Sequence, residues 1–259
     1  MRYLSDRGLN IRDAWTLRAY LATRVGQRIL HADRRTYRSR PRVKNFFPNL
    51  RLIFVHIPKT AGTSVQSYFS RLDQIMEGSQ GRGHMDVEVR KDDPPCKHLK
   101  APELRDYLGE EIWNACYRFS FVRNPWDLMV STYHWWLQTA PRFFDHRRMA
   151  AEVARMGDFE TFVRSPYGSE MIGPFFGHQL DWISDGSSDY VHYVGRTETL
   201  EDDLRHVVGQ LELNNVQHVP VPRLNQTSRT DYRFYYDLQT QELVGRRFAR
   251  EIQRFAYDF

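Results

Sequence analysis

The sequence predicts a three-layer α/β domain built on a central parallel sheet. Two segments, 52–71 and 119–138, each run from a short apolar strand through a turn into a stretch of helical length. Strands that alternate with helices in this order form parallel sheets with helices on both faces. The 259 residues, 41% of them hydrophobic, suffice to bury such a core without metal or disulfides.

The rest of the chain continues this alternation. Helices are predicted at 63–71, 101–115, 126–138, 147–165, 197–212 and 239–256, and long loops at 75–97, 166–189 and 214–231. Long loops in a compact enzyme commonly shape a substrate site. We therefore expect an enzyme whose substrate site is formed by loops.

The first strand leads into a loop suited to an anion. Residues 52–55 are apolar, Pro58 and Gly62 interrupt them, and an apolar pattern of helical spacing follows. A helix that begins near Thr63 directs its unpaired N–H groups and the positive end of its dipole at this loop. Because Lys59 adds a full positive charge, the loop is predicted to bind a phosphate-like anion.

The order of residues in this loop disfavours ATP as the ligand. In a Walker A loop the lysine follows the second glycine, whereas Lys59 precedes Gly62 by three residues. A magnesium-dependent phosphotransferase also needs a hydroxyl after the lysine and an aspartate at a strand end. Thr60 supplies the hydroxyl, but the strand at 119–122 ends in Arg123. Phosphoryl transfer from ATP-Mg is kept as the alternative function.

The second strand carries an arginine at its carboxyl end. Arg123 follows the apolar residues 119–122, a turn occupies 124–125, and the next helix carries Ser131. A guanidinium forms bidentate, charge-assisted hydrogen bonds with phosphate oxygens. Open α/β sheets bind ligands at the carboxyl ends of their strands. Arg123 is therefore predicted to bind a phosphate, and the alternative is an ion pair with Asp127.

These segments resemble the PAPS-dependent sulfotransferases. Residues 54–64 are similar to the 5′-phosphosulfate-binding loop of the carbohydrate, membrane-type group (sulfotransferase family 2-like), with its Phe-x-His-Ile-Pro-Lys-Thr-x-Gly-Thr-Ser pattern. Residues 123–131 match the family's Arg-Asn-Pro-x-x-x-x-x-Ser, whose arginine and serine hold the 3′-phosphate of the donor. The resemblance extends through 193–204, 224–236 and 255–259 and covers roughly residues 50–259.

The resemblance implies a donor and the residues that bind it. The donor is PAPS, 3′-phosphoadenosine-5′-phosphosulfate, and the product is 3′,5′-ADP. The 3′-phosphate is expected at Arg123 and Ser131. Arg196 and the loop 225–229 are expected to complete the nucleotide pocket, unless Glu198 pairs with Arg196. The implied fold resembles that of P-loop NTPases, with a third core strand near 193–196. The 5′-phosphosulfate is expected at Lys59, Thr60, Ala61, Gly62, Thr63 and Ser64.

Sulfuryl transfer needs a base for the acceptor hydroxyl and a group that neutralises the leaving 5′-phosphate. Lys59 is predicted to perform the second task. Histidine suits the first, because its pKa lies near neutrality. His98 is the preferred base, since related sulfotransferases carry a histidine ahead of an Ala-x-Glu-Leu-Arg-like helix. His84, which follows Gly81 and Gly83 in a Gly-Arg-Gly-His segment, is the alternative base. His56 is predicted to be a packed structural residue, and His134 has no assigned role.

The resemblance alone suggests that the acceptor is a carbohydrate, a glycolipid or another hydroxyl compound. A non-catalytic nucleotide- or glycan-binding protein is the second alternative. No metal site is predicted, because Cys96 and Cys116 are separated by nineteen residues and show no CxxC spacing. Two cysteines also argue against a disulfide-stapled secreted domain, so free thiols are expected.

The positive charge of the chain is concentrated at its amino terminus. Residues 1–44 carry a formal charge of +9 and residues 45–259 a charge of −4. We therefore predict a basic, partly helical arm at 1–48 and a sulfotransferase domain at 49–259. The amphipathic stretch 11–30 is expected to pack on the core, to contact an anionic membrane or to engage an acidic acceptor. Specific nucleic-acid binding is not expected, because no reading motif accompanies the charge.

The sequence also predicts a location. No apolar run approaches the ~20 residues of a membrane helix, and the amino terminus lacks the apolar region of a signal peptide. Golgi-resident carbohydrate sulfotransferases carry a membrane anchor, and this chain departs from them. We therefore expect a cytoplasmic protein, from a bacterium.

Overall fold

The structure is a computed structural model that describes residues 45–77, 97–169, 177–211, 213, 220–222 and 229–259. Within these residues, 45–134 and 177–259 form one compact unit, and 135–169 belong to a second. The predicted arm lies outside the described residues as far as residue 44. The division into an arm at 1–48 and a domain at 49–259 therefore stays a prediction.

The first unit contains a four-stranded mixed sheet. Its strands are β1 (Phe46–Phe47), β2 (Leu52–Val55), β3 (Tyr117–Val122) and β4 (Tyr193–Arg196), and they lie in that order. β2, β3 and β4 are parallel, with Phe54 opposite Phe119 and Val122 opposite Arg196. The α/β class is confirmed.

The central strands are parallel as predicted, but an antiparallel edge strand makes the sheet mixed. β1 runs antiparallel to β2, with Phe47 opposite Leu52. Only residues 48–51 connect these two strands, and Arg51 adopts a left-handed backbone conformation with φ of 48°. A connection this short can join antiparallel neighbours but cannot cross over to a parallel one.

Helices fill most of the remaining described residues. Three of the predicted helices are each divided into two. Gly109 and Gly157, with φ of 86° and 84°, divide the first two, and Phe248 separates the last pair. Short 3₁₀ segments lie at Ala140–Arg142, Phe144–His146, Thr197–Thr199 and Tyr232–Tyr235. The α-helices are α1 (Gly62–Glu77), α2 (Ala101–Leu108), α3 (Glu110–Ala115), α4 (Pro125–Gln138), α5 (Arg147–Met156), α6 (Phe159–Arg164), α7 (Pro166–Ser169), α8 (Leu180–Ile183), α9 (Leu200–Gln210), α10 (Leu238–Arg247) and α11 (Ala249–Phe255).

Apolar clusters cover both faces of the sheet, because successive side chains of a strand point to opposite faces. Ile53 and Val55 join one cluster with residues of α2, α3, α8 and α11, such as Leu104. Leu52 and Phe54 join the other cluster with residues of α1 and α9. The sheet is thus buried between helices, and all four residues of β2 are fully buried.

The parallel strands direct their following loops to one edge of the sheet. β2 leads through residues 56–61 into α1, β3 leads through 123–124 into α4, and β4 leads through Thr197–Thr199 into α9. Ligands in open α/β sheets bind outside the carboxyl ends of the strands. This edge of the first unit is therefore where a site is expected.

The second unit is helical in its described part. Trp136 is fully buried and packs edge-on against Tyr167, with ring centroids 5.5 Å apart. The Tyr167 hydroxyl donates to Glu152, which joins α5 to α7.

Across the part of the chain that the structure describes, no helix is both long and apolar enough to cross a membrane.

Candidate functional site

The loop between β2 and α1 presents a run of free backbone donors. Among the described residues, no acceptor is found for the backbone N–H groups of residues 59–63. The next two N–H groups, of Ser64 and Val65, both donate to the carbonyl of Ala61. Lys59 and Ala61 adopt left-handed conformations, with φ of 68° and 57°. Alternating left- and right-handed residues turn successive N–H groups toward one side and form an anion-binding concavity.

Side-chain contacts hold this loop in place. The Thr60 hydroxyl is fully buried and donates to the carbonyl of Ile57 over 2.9 Å. The buried ring of His56 stacks on Phe54, with centroids 5.1 Å apart. A Cβ at Gly62 would lie 1.7 Å from Nε2 of His56, so only glycine fits beside this ring. The structural role predicted for His56 agrees with this packing.

Lys59 lies in the loop, half-buried among other cations. Burial is the largest cause that lowers its pKa to about 7, and the positive charges of Arg123, Lys97 and Arg229 contribute to the same shift. Such mutual repulsion is relieved by a bound anion. The loop therefore combines free donors with an excess of positive charge.

Arg123 is fixed at the end of β3 by its main chain and its side chain. The Gln179 amide accepts from the Arg123 N–H over 2.8 Å and donates to its carbonyl over 2.9 Å. The guanidinium donates from Nε to Asp127 over 2.7 Å and from Nη1 to the carbonyl of Lys59 over 3.0 Å. Nη2 has no partner among the described residues. The ion pair with Asp127, which was the alternative role predicted for Arg123, is present. It leaves N–H groups of Arg123 available to a ligand.

A second arginine reaches the same carboxylate. Arg229 donates from Nη2 to Oδ1 of Asp127, whereas Arg123 occupies Oδ2. The chain separation between Asp127 and Arg229 is 102 residues. Sequence reasoning placed Arg229 at the end of a pocket loop and treated Asp127 only as an alternative partner. It missed that one carboxylate joins both arginines, because no local pattern brings Arg229 to α4.

Neighbouring contacts fix the turn after Arg123. The Asn124 N–H donates to Glu198 over 2.7 Å, and the Asn124 side chain donates to the carbonyl of Asp258 over 2.8 Å. Arg196 donates to the carbonyl of Phe255 and lies over the ring of Tyr257. The alternative in which Glu198 pairs with Arg196 is not what the described contacts show. Arg196 is instead attached to the carboxyl-terminal segment.

One face of α4 carries three polar residues, Asp127, Ser131 and His134, spaced four and three positions apart. Ser131 is buried. His134 lies 2.8 Å from the Tyr235 hydroxyl through Nε2. Burial lowers its pKa, and the charges of Arg229 and Lys59 lower it further. His134 therefore faces the same cations, and its spacing from Asp127 and Ser131 was the signal that sequence reasoning overlooked.

His98 lies against His56, with ring centroids 4.4 Å apart. Its Nδ1 is 3.2 Å from the carbonyl oxygen of His56. Since a carbonyl only accepts, Nδ1 carries the proton and Nε2 holds the lone pair. Burial lowers the pKa of His98 to about 4, and the charge of Lys97 acts in the same direction. The ring is thus neutral near pH 7, and within the described ranges its Nε2 has no hydrogen-bond partner.

Comparison with known families identifies the chain. Residues 45–258, most of its length, match the family described as the sulfotransferase family. The chain belongs to the sulfotransferase family. No curated protein and no solved structure gave a match. The assignment to the sulfotransferases is confirmed at family level, and it implies a transferase that uses a sulfate donor such as PAPS.

Some predicted features of the sulfotransferase lie outside the described residues. These are His84, Cys96 and the loop residues 225–228. Cys116 is a buried free thiol whose pKa burial raises to about 12. In the ranges that the structure covers, no three or more His, Cys, Asp or Glu side chains form a group that could hold a metal ion.

Proposed function

We propose that this sulfotransferase moves a sulfuryl group from PAPS to a hydroxyl of a carbohydrate or glycoconjugate and releases 3′,5′-ADP. The observation that carries the proposal is the run of free N–H groups at 59–63 beside Lys59 and Arg123. A P-loop NTPase-like arrangement of the first unit is part of the proposal, because in P-loop NTPases too an anion-binding loop follows a parallel strand.

The residues present fit a donor with anions at two ends. The N–H groups of 59–63 and the ammonium of Lys59 suit the 5′-phosphosulfate, with Ser64 at the start of α1. The free N–H groups of Arg123 and the hydroxyl of Ser131 suit the 3′-phosphate. Arg196 and the loop 225–229 are proposed to complete the nucleotide pocket.

His98 is proposed as the base. Its Nε2 takes the proton of the acceptor hydroxyl as the oxygen attacks sulfur, and the bond from sulfur to the 5′-phosphate oxygen breaks. The Nδ1–H bond to the His56 carbonyl then stabilises the imidazolium. Lys59 neutralises the charge that develops on the leaving phosphate. The negative charges of the donor raise the pKa of both His98 and Lys59, which strengthens the first as a base and keeps the second protonated.

The proposal also names an acceptor and a membrane contact for the protein. A carbohydrate, a glycolipid or another hydroxyl compound is the proposed acceptor, and the basic arm at 1–48 is proposed to touch anionic membranes peripherally. The protein is proposed to be a cytoplasmic bacterial enzyme that needs no metal. ATP-Mg phosphotransfer is less well supported, because Arg123 occupies the strand end where a magnesium-binding carboxylate is needed.

Thermal unfolding with two nucleotides tests the donor. A ligand that binds only the folded state raises the apparent stability. We expect 3′,5′-ADP to raise the unfolding temperature and ATP-Mg to have little effect. A preference for ATP-Mg would contradict the proposal. Labelled PAPS, offered with polysaccharides and lipids from the source organism, then identifies the acceptor, and binding without any transfer would favour the non-catalytic alternative.

A further inference from the structure

A single carboxylate lies between two arginines at the proposed donor site. Oδ2 of Asp127 accepts from Arg123, and Oδ1 accepts from Arg229. The three side chains are largely buried, with 19% of Arg123, 17% of Asp127 and 12% of Arg229 exposed. Both oxygens of the carboxylate are therefore committed to holding guanidinium groups.

The two arginines retain donors for a ligand. Each guanidinium has five N–H groups. Arg123 uses those on Nε and Nη1 toward Asp127 and Lys59, and Arg229 uses Nη2 toward Asp127. Among the described residues, neither arginine has a further side-chain partner. The remaining N–H groups belong to two planar groups that are fixed relative to each other.

The charge balance favours an anion beside this pair. Arg123 and Arg229 both lower the pKa of Lys59, so the three cations lie close together. In the described part of the chain, Asp127 is the carboxylate that hydrogen-bonds to Arg123 and Arg229. Largely buried positive charge in excess of its partners is costly until an anion binds.

We propose that Asp127 is a positioning residue of the donor site, which holds Arg123 and Arg229 as one paired clamp for a phosphate. Asp127 thereby joins Arg229, from the loop proposed to complete the nucleotide pocket, to Arg123 at the end of β3. This inference rests on the proposed function, because the anion is taken to be a phosphate of the sulfate donor.

Whether removing the charge of Asp127 tightens or weakens phosphate binding distinguishes a positioning role from a purely electrostatic one. A carboxylate near an anion repels it, so removing that charge should tighten phosphate binding. If Asp127 positions the arginines, its removal should weaken binding instead. Asp127→Asn keeps the size of the side chain but replaces one of the two carboxylate oxygens with an NH₂ donor, so one of the two arginines faces a donor where it now has an acceptor.

The experiment is a double-mutant cycle with 3′,5′-ADP as the probe, measured by calorimetry. Asp127→Asn should weaken binding at least about tenfold, as expected for hydrogen bonds between charged groups. The same change should have a smaller effect in an Arg229→Gln background, because one of the two arginines is already absent. The KM for PAPS should rise, with kcat changed less.

Asp189→Asn is the matched control. It removes an aspartate whose ion pair with Arg254 spans 2.7 Å. Asp189 precedes β4 and is not at the carboxyl ends of the strands, so 3′,5′-ADP binding should be unchanged. If Asp127→Asn does not fold, Arg229→Lys tests the same idea, since lysine keeps the charge but lacks the planar fork. This variant should bind as weakly as Arg229→Gln.

The outcomes separate this inference from the proposed function. Tighter binding by Asp127→Asn, equal effects in both backgrounds, or full binding by Arg229→Lys would overturn the clamp while 3′,5′-ADP still bound the wild type. Failure of the wild type to bind 3′,5′-ADP would overturn the proposed function and this inference together.

Discussion

The α-carbon of Gly62 lies directly against the imidazole of His56. A Cβ built at position 62 falls 1.7 Å from Nε2 and 2.1 Å from Cδ2 of that ring. The ring cannot move away easily, because it is buried and packs against Phe54 and His98. The first residue of α1 and the end of β2 are thus locked together around the anion loop.

Replacing Gly62 should disturb this lock. Gly62→Ala is expected to destabilise the protein by about 1–3 kcal/mol, the usual cost of overpacking, and to weaken 3′,5′-ADP binding. Urea unfolding measures the first effect. Gly209→Ala is the control, since no atom lies within 4 Å of its Cβ position and it is exposed in α9. Alanine there should stabilise by about 0.5–1 kcal/mol. Equal stability of the two variants would show that His56 can yield.

The role of His98 as the base can be tested independently of donor binding. His98→Ala should lower turnover with PAPS by about 10²–10⁴-fold, the usual contribution of a general base, while 3′,5′-ADP still binds. Turnover is measured with labelled donor, and binding by thermal stabilisation. His84→Ala is the comparison. Undiminished turnover in His98→Ala, with loss in His84→Ala, would transfer the role of base to His84.

The protonation of Lys59 should couple donor binding to pH. Its pKa is about 7 in the free protein, and a bound anion raises that pKa. Affinity for 3′,5′-ADP should therefore fall as the pH rises from 7 to 9, by up to about tenfold per unit. Lys59→Arg should flatten this dependence, because arginine stays protonated. Calorimetry in two buffers with different ionisation enthalpies should show proton uptake in the wild type, and no difference between the buffers would contradict the shift.

His98 should make the folded state sensitive to acid. Its pKa falls from 6.5 to about 4 on folding, so the unfolded chain binds more protons between these values and stability drops as the pH falls. The loss between pH 7 and pH 5 should be about 2 kcal/mol. His98→Asn should lose that much less in the same interval. His178, whose pKa is raised by Glu251, acts in the opposite sense in both proteins and cancels. Equal losses in the two proteins would contradict the low pKa.

The sequence predicted the parts of the site that lie in continuous segments. Lys59 and Gly62 follow one apolar strand, and Arg123 follows another, so local patterns were enough to place them at strand ends. The same patterns gave the α/β class. The strand β1 was missed because two residues before a proline carry no periodic signal.

Contacts across long chain separations could not be predicted in this way. The Gln179 amide reaches Arg123 across 56 residues, and Arg229 reaches Asp127 across 102. Such pairs depend on how the carboxyl-terminal segment and the loop before α8 pack, and no local pattern encodes that packing. The tautomer of His98 was hidden for the same reason, since it depends on a carbonyl 42 residues away.

The most direct test of the account is a crystal structure of the sulfotransferase with 3′,5′-ADP. The account predicts one nucleotide whose 5′-phosphate accepts from the N–H groups of residues 59–63 and from Lys59, and whose 3′-phosphate contacts Arg123 and Ser131. A nucleotide bound elsewhere, or with either phosphate away from these groups, would contradict it.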